Sequence, residues 1–165
     1  MKQKGVSPLV SFVLYTAIAV LVISIVLTVG FPYIEKMRDS ISIKQAQDFL
    51  GVLDNTITEV ALAGENSRVP VTLRFERGRY IFSSDKNALT FSIETESNVV
   101  SQGASRQVGA LILYADANGT HVFLGYNESD LVLNGFNKTL FPGTYNLIVE
   151  NSGVVNNNLV IEVES

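Results

Sequence analysis

Three Asn-x-Ser/Thr triplets lie close together in the C-terminal half of the chain. They begin at Asn118, Asn127 and Asn137, and none has proline in its middle position. Such a triplet is the acceptor for N-linked glycans, which are attached to surface loops of secreted proteins. Asn, Gly and Ser are also the ordinary residues of turns, so a plain turn is the alternative at each position. The glycan hypothesis requires this part of the chain to lie outside the cell.

Other residues of the same stretch have the types, but not the spacing, of a metal or catalytic site. Residues 116–119 resemble the start of a calcium loop, with Glu128 and Asp130 nearby, but the further ligand spacing and the closing glutamate are missing. A hairpin turn is the better interpretation. His121 is the only histidine, and it lies in a strand-like segment with no nucleophile motif beside it. We therefore predict no catalytic residue, no metal and no cofactor, and a protein that is not an enzyme.

At the N-terminus a short basic segment precedes a long uncharged run. Lys2 and Lys4 come first, and residues 9 to 29 contain no charged side chain. At the helical rise these roughly 21 residues reach about 32 Å, enough to cross the hydrocarbon layer of a bilayer. No small-residue cleavage site of the Ala-x-Ala kind follows the run, so we expect the helix to be retained in the mature protein.

The flanking charges predict how this helix is oriented in a membrane. Lys2 and Lys4 precede it closely, whereas the charges that follow it cancel; these are Glu35, Lys36, Arg38 and Asp39. The positive-inside tendency therefore places the N-terminus in the cytoplasm and the C-terminal part outside the cell. The absence of ionisable side chains within the run argues against a transporter or a proton path.

After the uncharged run the pattern stays helical but becomes amphipathic. Pro32 removes one helical hydrogen bond and clashes with the preceding turn, so we expect a kink or a short unwound joint there. Two apolar stripes follow between Tyr33 and about Ala63. The first stripe consists of Ile34, Met37 and Ile41, and the second of Ala46, Phe49, Leu50, Leu53, Ile57, Val60 and Ala61.

The two stripes cannot share one flat partner. Their centres differ by roughly 140° around a helix of about 100° per residue. We predict that the second stripe packs on the protein's own β-domain and the first on neighbouring subunits. A bent helix, or a first stripe that rests on lipid, is the alternative. Gly64 is placed to end the helix as a C-terminal cap.

Beyond Gly64 the apolar residues alternate with a period of two, which predicts β-strands. The predicted strands cover residues 69–75, 80–82, 89–93, 108–115, 121–124, 145–150 and 159–163, with a loop over 97–107 and turns at 76–79, 116–119, 142–143 and 151–153. Segment 108–115 is nearly all apolar, so we expect it to be covered on both faces. The fold class is therefore α+β: a long N-terminal helix followed by an antiparallel β-sandwich or a β-sheet wrapped on the helix.

The residues before the uncharged run also carry a family resemblance. Lys4-Gly5-Val6-Ser7-Pro8-Leu9-Val10, followed at once by that run, resembles the class III signal peptide of archaeal type IV pilin-like proteins. The resemblance covers residues 1 to 62 as signal, apolar helix and stalk, and is only general in the β-rich remainder. It implies cleavage by a prepilin peptidase between Gly5 and Val6. Bacterial major pilins usually carry Glu at the fifth mature position, which is Val10 here, and archaellins commonly begin with a Gly-rich segment, so neither of these variants is favoured.

The resemblance implies a domain plan and a set of partners. Residues 1–5 form the signal peptide, 6–31 the transmembrane and filament-core helix, 32–64 the amphipathic stalk helix and 65–165 the extracellular β-domain. The subunit is held in the membrane as a precursor and then polymerises through its apolar helix into a homo-oligomeric cell-surface filament used for adhesion. An assembly ATPase and a platform membrane protein are the implied partners. The alternative is an uncleaved single-span surface protein whose β-domain binds a ligand or partner.

Composition is consistent with these predictions and disfavours some others. The formal net charge is −4, and removal of Lys2 and Lys4 would leave 10 basic against 16 acidic residues, a net charge of −6. There is thus no basic footprint for nucleic acid. The sequence has no cysteine, so an extracellular domain must rely on packing, glycans or assembly rather than on disulfides.

Overall fold

The computed structural model of the protein describes residues 8–95, 101–126, 131–134, 137–155 and 158–164. Within these residues one helix is followed by ten strands, which is the predicted α+β class. The elements are α1 (Pro8–Ala63), β1 (Arg68–Phe75), β2 (Arg79–Ser83), β3 (Ala88–Ile93), β4 (Ser105–Val108), β5 (Leu111–Asp116), β6 (Gly119–Gly125), β7 (Leu131–Asn134), β8 (Lys138–Leu140), β9 (Gly143–Val155) and β10 (Asn158–Glu164). The chain divides into two compact units, of which the first ends at Arg38 and the second begins at Asp39.

The described part of the first unit is helical throughout. Its residues belong to α1, and the predicted span from residue 9 to residue 29 lies wholly within it. By length and composition this helix can cross a membrane. The most apolar window of the helix is not buried at all, which distinguishes it from the core helix of a globular protein.

Pro32 lies inside α1 without interrupting it. The unwound joint, one of our two expectations at Pro32, is therefore absent. The other expectation, a kink, stays a prediction. One missing backbone hydrogen bond is a local loss, and the intact turns on both sides keep the helix formed.

The strands of the second unit form two sheets. The four-stranded sheet has the order β1-β9-β10-β7, and the six-stranded sheet has the order β4-β5-β6-β3-β2-β8. Among the described pairs, β10 and β7 run parallel and the others antiparallel. The turn at residues 76–79 does not close a hairpin, because β1 and β2 belong to different sheets.

A single apolar core joins the second half of α1 to both sheets. The second stripe of α1 supplies its fully buried helix residues, so the prediction that this stripe packs on the β-domain is confirmed. Ile43 also belongs to the core, although it is outside the predicted stripe. The sheet residues of the core alternate along each strand; they include Leu73 and Phe75, Tyr80 and Phe82, Leu89 and Phe91, Leu111 and Leu113, Val122 and Leu124, and Leu147 and Val149.

Gly64 ends the helix as predicted. Its φ of +97° lies in the left-handed region that glycine adopts without strain. The single hydroxyl proton of Ser67 is shared between the carbonyl oxygens of Val60 at 2.9 Å and Gly64 at 2.7 Å. The Val60 carbonyl is one of those that the helix end leaves without an intrahelical partner.

Three predictions for the region of β4, β5, β7 and β8 need correction. Residues 105–107 form most of β4 rather than a loop, and all four side chains of this edge strand are exposed, so no apolar alternation marks it. Segment 108–115 is not one strand covered on both faces: a turn at Gly109, with φ +62°, separates β4 from β5, and Ile112 on β5 is exposed. Strands β7 and β8 were not predicted at all; they have only four and three residues.

Residues 151–153 are not a turn but lie inside β9. Asn151 pairs with Ile161 of β10, and the register between the two strands shifts between Leu159 and Ile161. Gly153 has a φ of +89°. Turn-type residues here produce a β-bulge within a long strand instead of reversing the chain.

Candidate functional sites

The first candidate site is the apolar surface of the first unit. Every large apolar side chain from residue 9 to residue 31 is exposed, with the lowest value at Leu27, 48%. Leu9, Phe12 and Tyr15 are each about 70% exposed or more. An apolar surface of this extent is unfavourable in water and must be covered by lipid or by other apolar helices.

Hydroxyl groups within this helix are compatible with an apolar environment. Thr16 Oγ1 donates to the carbonyl oxygen of Val13 at 2.9 Å, Ser24 Oγ to that of Val20 at 2.8 Å, and Thr28 Oγ1 to that of Ser24 at 2.7 Å. Because each of these donors is satisfied inside the helix, its transfer out of water costs little.

The first amphipathic stripe is also exposed. Ile34, Met37 and Ile41 are 48%, 56% and 50% exposed, whereas Ala46, Leu50 and the rest of the second stripe pack inside the protein. The two stripes of the predicted stalk therefore differ: the second is buried by the protein itself, and the first is exposed. The structure holds a single chain, so what covers Ile34, Met37 and Ile41 stays a prediction.

Asp39 fastens α1 to the β-strands where the second unit begins. Its carboxylate is buried at 6% exposure, with Oδ1 2.9 Å from a guanidinium nitrogen of Arg77 and Oδ2 accepting a 2.6 Å hydrogen bond from the Thr95 hydroxyl. The Arg77 contact is an ion pair without hydrogen-bond geometry, since Oδ1 accepts no hydrogen bond. Arg77 lies in the turn after β1 and Thr95 follows β3, so one side chain holds the helix to two chain segments.

Asn151 and Asp54 connect the C-terminal part of α1 to the β-domain through hydrogen bonds. The buried Asn151 donates from Nδ2 to the Val60 carbonyl oxygen at 3.2 Å, and its backbone oxygen accepts from the Asn66 amide at 2.8 Å. Asp54 Oδ1 accepts a 2.6 Å hydrogen bond from the Tyr126 hydroxyl. Burial, and then this bond to the Asp54 carboxylate, raise the pKa of Tyr126 well above its ordinary value.

A concavity of about 340 Å³, lined by both polar and apolar side chains, lies on the outer face of the six-stranded sheet. The cross-strand pairs Arg79 with Ser92, Ser92 with His121, and His121 with Tyr114 form one row of outward positions. The rings of Tyr114 and His121 stack at 4.7 Å with an interplanar angle of 20°. Tyr114 is partly buried by this packing, and burial followed by the nearby Asp116 charge raises the pKa of its hydroxyl.

His121 is a strand side chain, as expected, and it is held by the hairpin before it. Its Nε2 lies 3.1 Å from Asp116 Oδ1, which also accepts the backbone N–H of Asn118 at 2.7 Å. These two hydrogen bonds, the Asn118 bond foremost, lower the pKa of the Asp116 carboxyl. Residues 116–119 therefore form the predicted hairpin turn. No group of three His, Cys, Asp or Glu suited to a metal occurs among the described residues, and Glu128 and Asp130 lie outside them.

Two of the three predicted glycan acceptors are described, and their environments differ. Asn118 is exposed in the turn between β5 and β6, and it lines the concavity. Asn137 is exposed, but its Oδ1 accepts the Ser84 amide at 2.8 Å and its Nδ2 donates to Asp85 at 3.3 Å. Asn127 lies outside the described residues, as do the predicted processing residues Gly5 and Val6.

Sequence reasoning missed Asp39, Asn151 and the row that contains Tyr114. A signal existed for Asp39, because it lies four residues before the buried Ile43 on the same helix face. For Asn151 the signal was misleading, since Asn-Ser-Gly is typical of turns. The Tyr114 row depends on strand register, which a single sequence does not provide.

In comparisons with known protein families, curated proteins and solved structures, the chain has no significant match.

Proposed function

We propose that this protein is a structural subunit of an archaeal type IV pilus-like surface filament. The observation that carries the proposal is the uncharged helix of the first unit, whose apolar side chains are exposed on every side. Such a surface is stable in lipid, and it is equally stable against sister helices of the same kind. A subunit that passes from membrane to filament needs both properties.

Continuity of α1 supports retention of the apolar helix. The helix runs unbroken from Pro8 to Ala63, so the residues just after the uncharged run are helical. A signal peptidase cleaves an extended segment, and the sequence offers no small-residue site there. In the proposed pathway the cut falls instead between Gly5 and Val6, before the helix.

The proposed pathway has three stages. The precursor sits in the membrane with its N-terminus in the cytoplasm and its β-domain outside. A prepilin peptidase removes residues 1–5, and an assembly ATPase with a platform membrane protein adds the subunit to a growing filament. The apolar helices then form the filament core, the β-domains coat it, and the filament serves adhesion.

Substitution of Gly5 by phenylalanine tests the proposal. A bulky side chain at the cleavage position should block the peptidase, so we expect Gly5→Phe to keep its first five residues and to stay in the membrane without forming filaments. Gln3→Phe is the matched control, because it adds the same side chain within the removed segment; it should be processed and should polymerise. Filaments of normal abundance from Gly5→Phe would contradict the proposal and favour an uncleaved membrane-anchored surface protein.

A further inference from the structure

One row of outward side chains crosses the concavity on the six-stranded sheet. The strand register pairs Arg79 with Ser92 and Ser92 with His121, and all three line the concavity. Because neighbouring strands lie about 4.8 Å apart, consecutive members of the row can contact one ligand together. The row therefore presents a guanidinium, a hydroxyl and an imidazole side by side.

Ser92, in the middle of the row, has a hydroxyl without a protein partner. The residue is 3% exposed, and none of the described residues forms a hydrogen bond with this hydroxyl. A hydroxyl that is largely removed from water costs free energy unless it is hydrogen-bonded. Since Ser92 lines the concavity, an oxygen atom of a ligand placed there would satisfy it.

Arg79 places a positive charge next to that hydroxyl. Its side chain is exposed, and within the described residues it has no ion pair and no hydrogen bond. A guanidinium group only donates, and its planar N–H groups match the two oxygens of a carboxylate. A carboxylate held over Ser92 would accept hydrogen bonds from both side chains.

His121 offers an acceptor on the other side of Ser92. Its Nε2 lies 3.1 Å from Asp116 Oδ1, and the lowered pKa of Asp116 keeps that carboxylate ionised at neutral pH. An ionised carboxylate only accepts, so Nε2 carries a proton, and Nδ1 of the neutral ring is an acceptor. This nitrogen suits a hydroxyl group of the ligand.

The rest of the concavity has the mixed lining that a sugar ring requires. Ile81 and Ala88 add apolar side chains, and Thr90 adds a methyl and a hydroxyl group. Sugars present apolar C–H faces and hydroxyl groups together, so both kinds of surface find a counterpart. From Ser92 to Ala88 the strand extends about 13 Å, which is long enough for at least one sugar ring.

Glu94 restricts the charge that the ligand can carry. It follows Ser92 by two residues and lines the same concavity, so a second carboxylate of the ligand near it would be repelled. A neighbouring concavity of about 400 Å³ shares Arg79, Ser92 and Glu94 with the first. A longer ligand can therefore continue beyond the row.

We infer that Arg79, Ser92 and His121 bind the carboxylate and a nearby hydroxyl group of an acidic sugar of the uronic acid kind. The carboxylate accepts from Arg79 and Ser92, and the hydroxyl donates to Nδ1 of His121. The C–H face of the sugar ring lies on Ile81 and Ala88. Use of this site for adhesion rests on the proposed function, whereas the binding itself does not.

The NMR signals of His121 test the binding, because His121 is the only histidine of the chain. In the full chain in detergent, at constant neutral pH and ionic strength, we expect D-glucuronate to shift these signals saturably. D-glucose lacks the carboxylate and acetate lacks the hydroxyl groups, so each should bind at least about tenfold more weakly. No saturable shift with glucuronate, or equal affinity for glucose or for acetate, would overturn the inference.

Two substitutions in the row and one outside it test which residues bind. Arg79→Gln should weaken glucuronate binding about tenfold or more, and Ser92→Ala should weaken it several-fold. Arg74→Gln is the matched control, because Arg74 is an exposed arginine on β1 of the other sheet; it should bind as the natural protein does. Equal affinities of Arg79→Gln and Arg74→Gln would contradict the assignment, and because Arg79 is exposed its replacement should leave the fold intact.

These outcomes are separate from those of the proposed function. A filament-forming protein that begins at Val6 and shows no saturable shift at His121 would refute the sugar site and leave the filament subunit standing. Glucuronate binding by a protein that begins at Met1 in its native membrane would refute the filament subunit and leave the sugar site standing.

Discussion

Asp39 has a carboxylate buried within the second unit, in contact with Arg77 and Thr95. Removing its charge in Asp39→Asn leaves the side-chain size unchanged but deprives Arg77 of its counter-ion. Because Arg77 is 39% exposed and can regain water, we expect the free energy of unfolding to fall by about 1–3 kcal/mol rather than by the larger cost of a fully buried pair. Denaturant unfolding of the full chain in detergent measures this.

Asp48→Asn is the control for Asp39, because Asp48 is an exposed carboxylate on the same helix. It should change the free energy of unfolding by no more than about 0.5 kcal/mol. Equal effects of the two substitutions would mean that the Asp39 ion pair contributes nothing specific to the fold.

The buried tyrosines predict a loss of stability in alkali. Burial raises the pKa of both Tyr80 and Tyr126 above the ordinary value of 10.0. Above that pH the unfolded chain releases both protons while the folded chain keeps them, so the unfolded state binds fewer protons and stability falls with rising pH. Each group contributes about 1.4 kcal/mol per pH unit.

Tyr126→Phe isolates one of these two protons. Its free energy of unfolding should fall less steeply than that of the natural protein above pH 10, by about 1.4 kcal/mol per pH unit. At neutral pH the loss of the hydrogen bond to Asp54 should lower the free energy of unfolding by about 1–3 kcal/mol. Identical pH slopes would show that Tyr126 ionises as readily in the folded chain as in the unfolded one.

For single residues, the sequence predicted features that depend on local turn chemistry, but not which distant side chains would be in contact. The hairpin at residues 116–119 and the strand position of His121 could be predicted because local turn chemistry decides them. The Asp39–Arg77 pair joins positions 38 residues apart, and the Tyr126–Asp54 bond joins positions 72 apart. Contacts of this range depend on the packed fold, which local pattern does not specify.

The two apolar stripes of α1 have different surroundings. The second stripe is packed inside the protein and the first, Ile34, Met37 and Ile41, is exposed. We expect Met37→Glu and Ile41→Glu to stop filament growth while leaving the fold intact, because each would put a charge at the proposed contact between subunits. Electron microscopy of cell-surface filaments, with circular dichroism of the purified subunit, measures both effects.

Two variants on the same helix calibrate this test. Ile43→Glu places the charge in the core, where Ile43 is 1% exposed, and should unfold the domain. Lys36→Glu changes an exposed and charged position roughly 130° around the helix from the first stripe, and it should leave filaments unaffected. Misfolding of Met37→Glu would overturn the assignment of the first stripe to subunit contact.

Strands were predictable where the sheet has one buried and one outer face. In sequence, β1, β3 and β10 alternate apolar with other residues, and their positions were recognised within one residue at each end. β4 is exposed on both faces, and β7 and β8 are too short for a period to appear. The length of β9 could not be seen, because a bulge around Gly153 has the composition of a turn.

For the whole molecule, the central fact is an apolar helix whose large side chains from residue 9 to residue 31 are exposed. Burial of one large apolar side chain stabilises by about 1.5–3 kcal/mol, so the exposed side chains between residues 9 and 31 together favour a lipid or helix-packed environment strongly. This part of the fold was readable from sequence, since an uncharged run of that length has few alternatives. What covers this helix could not be predicted from the sequence, because lipid and sister helices favour the same apolar composition.

The N-terminal sequence and intact mass of the native protein, purified from surface filaments and membranes, test the filament account most directly. The account predicts a chain that begins at Val6 and keeps the whole apolar helix, with the five preceding residues absent. A chain that begins at Met1, or one that begins beyond residue 30 and has lost the helix, would contradict it.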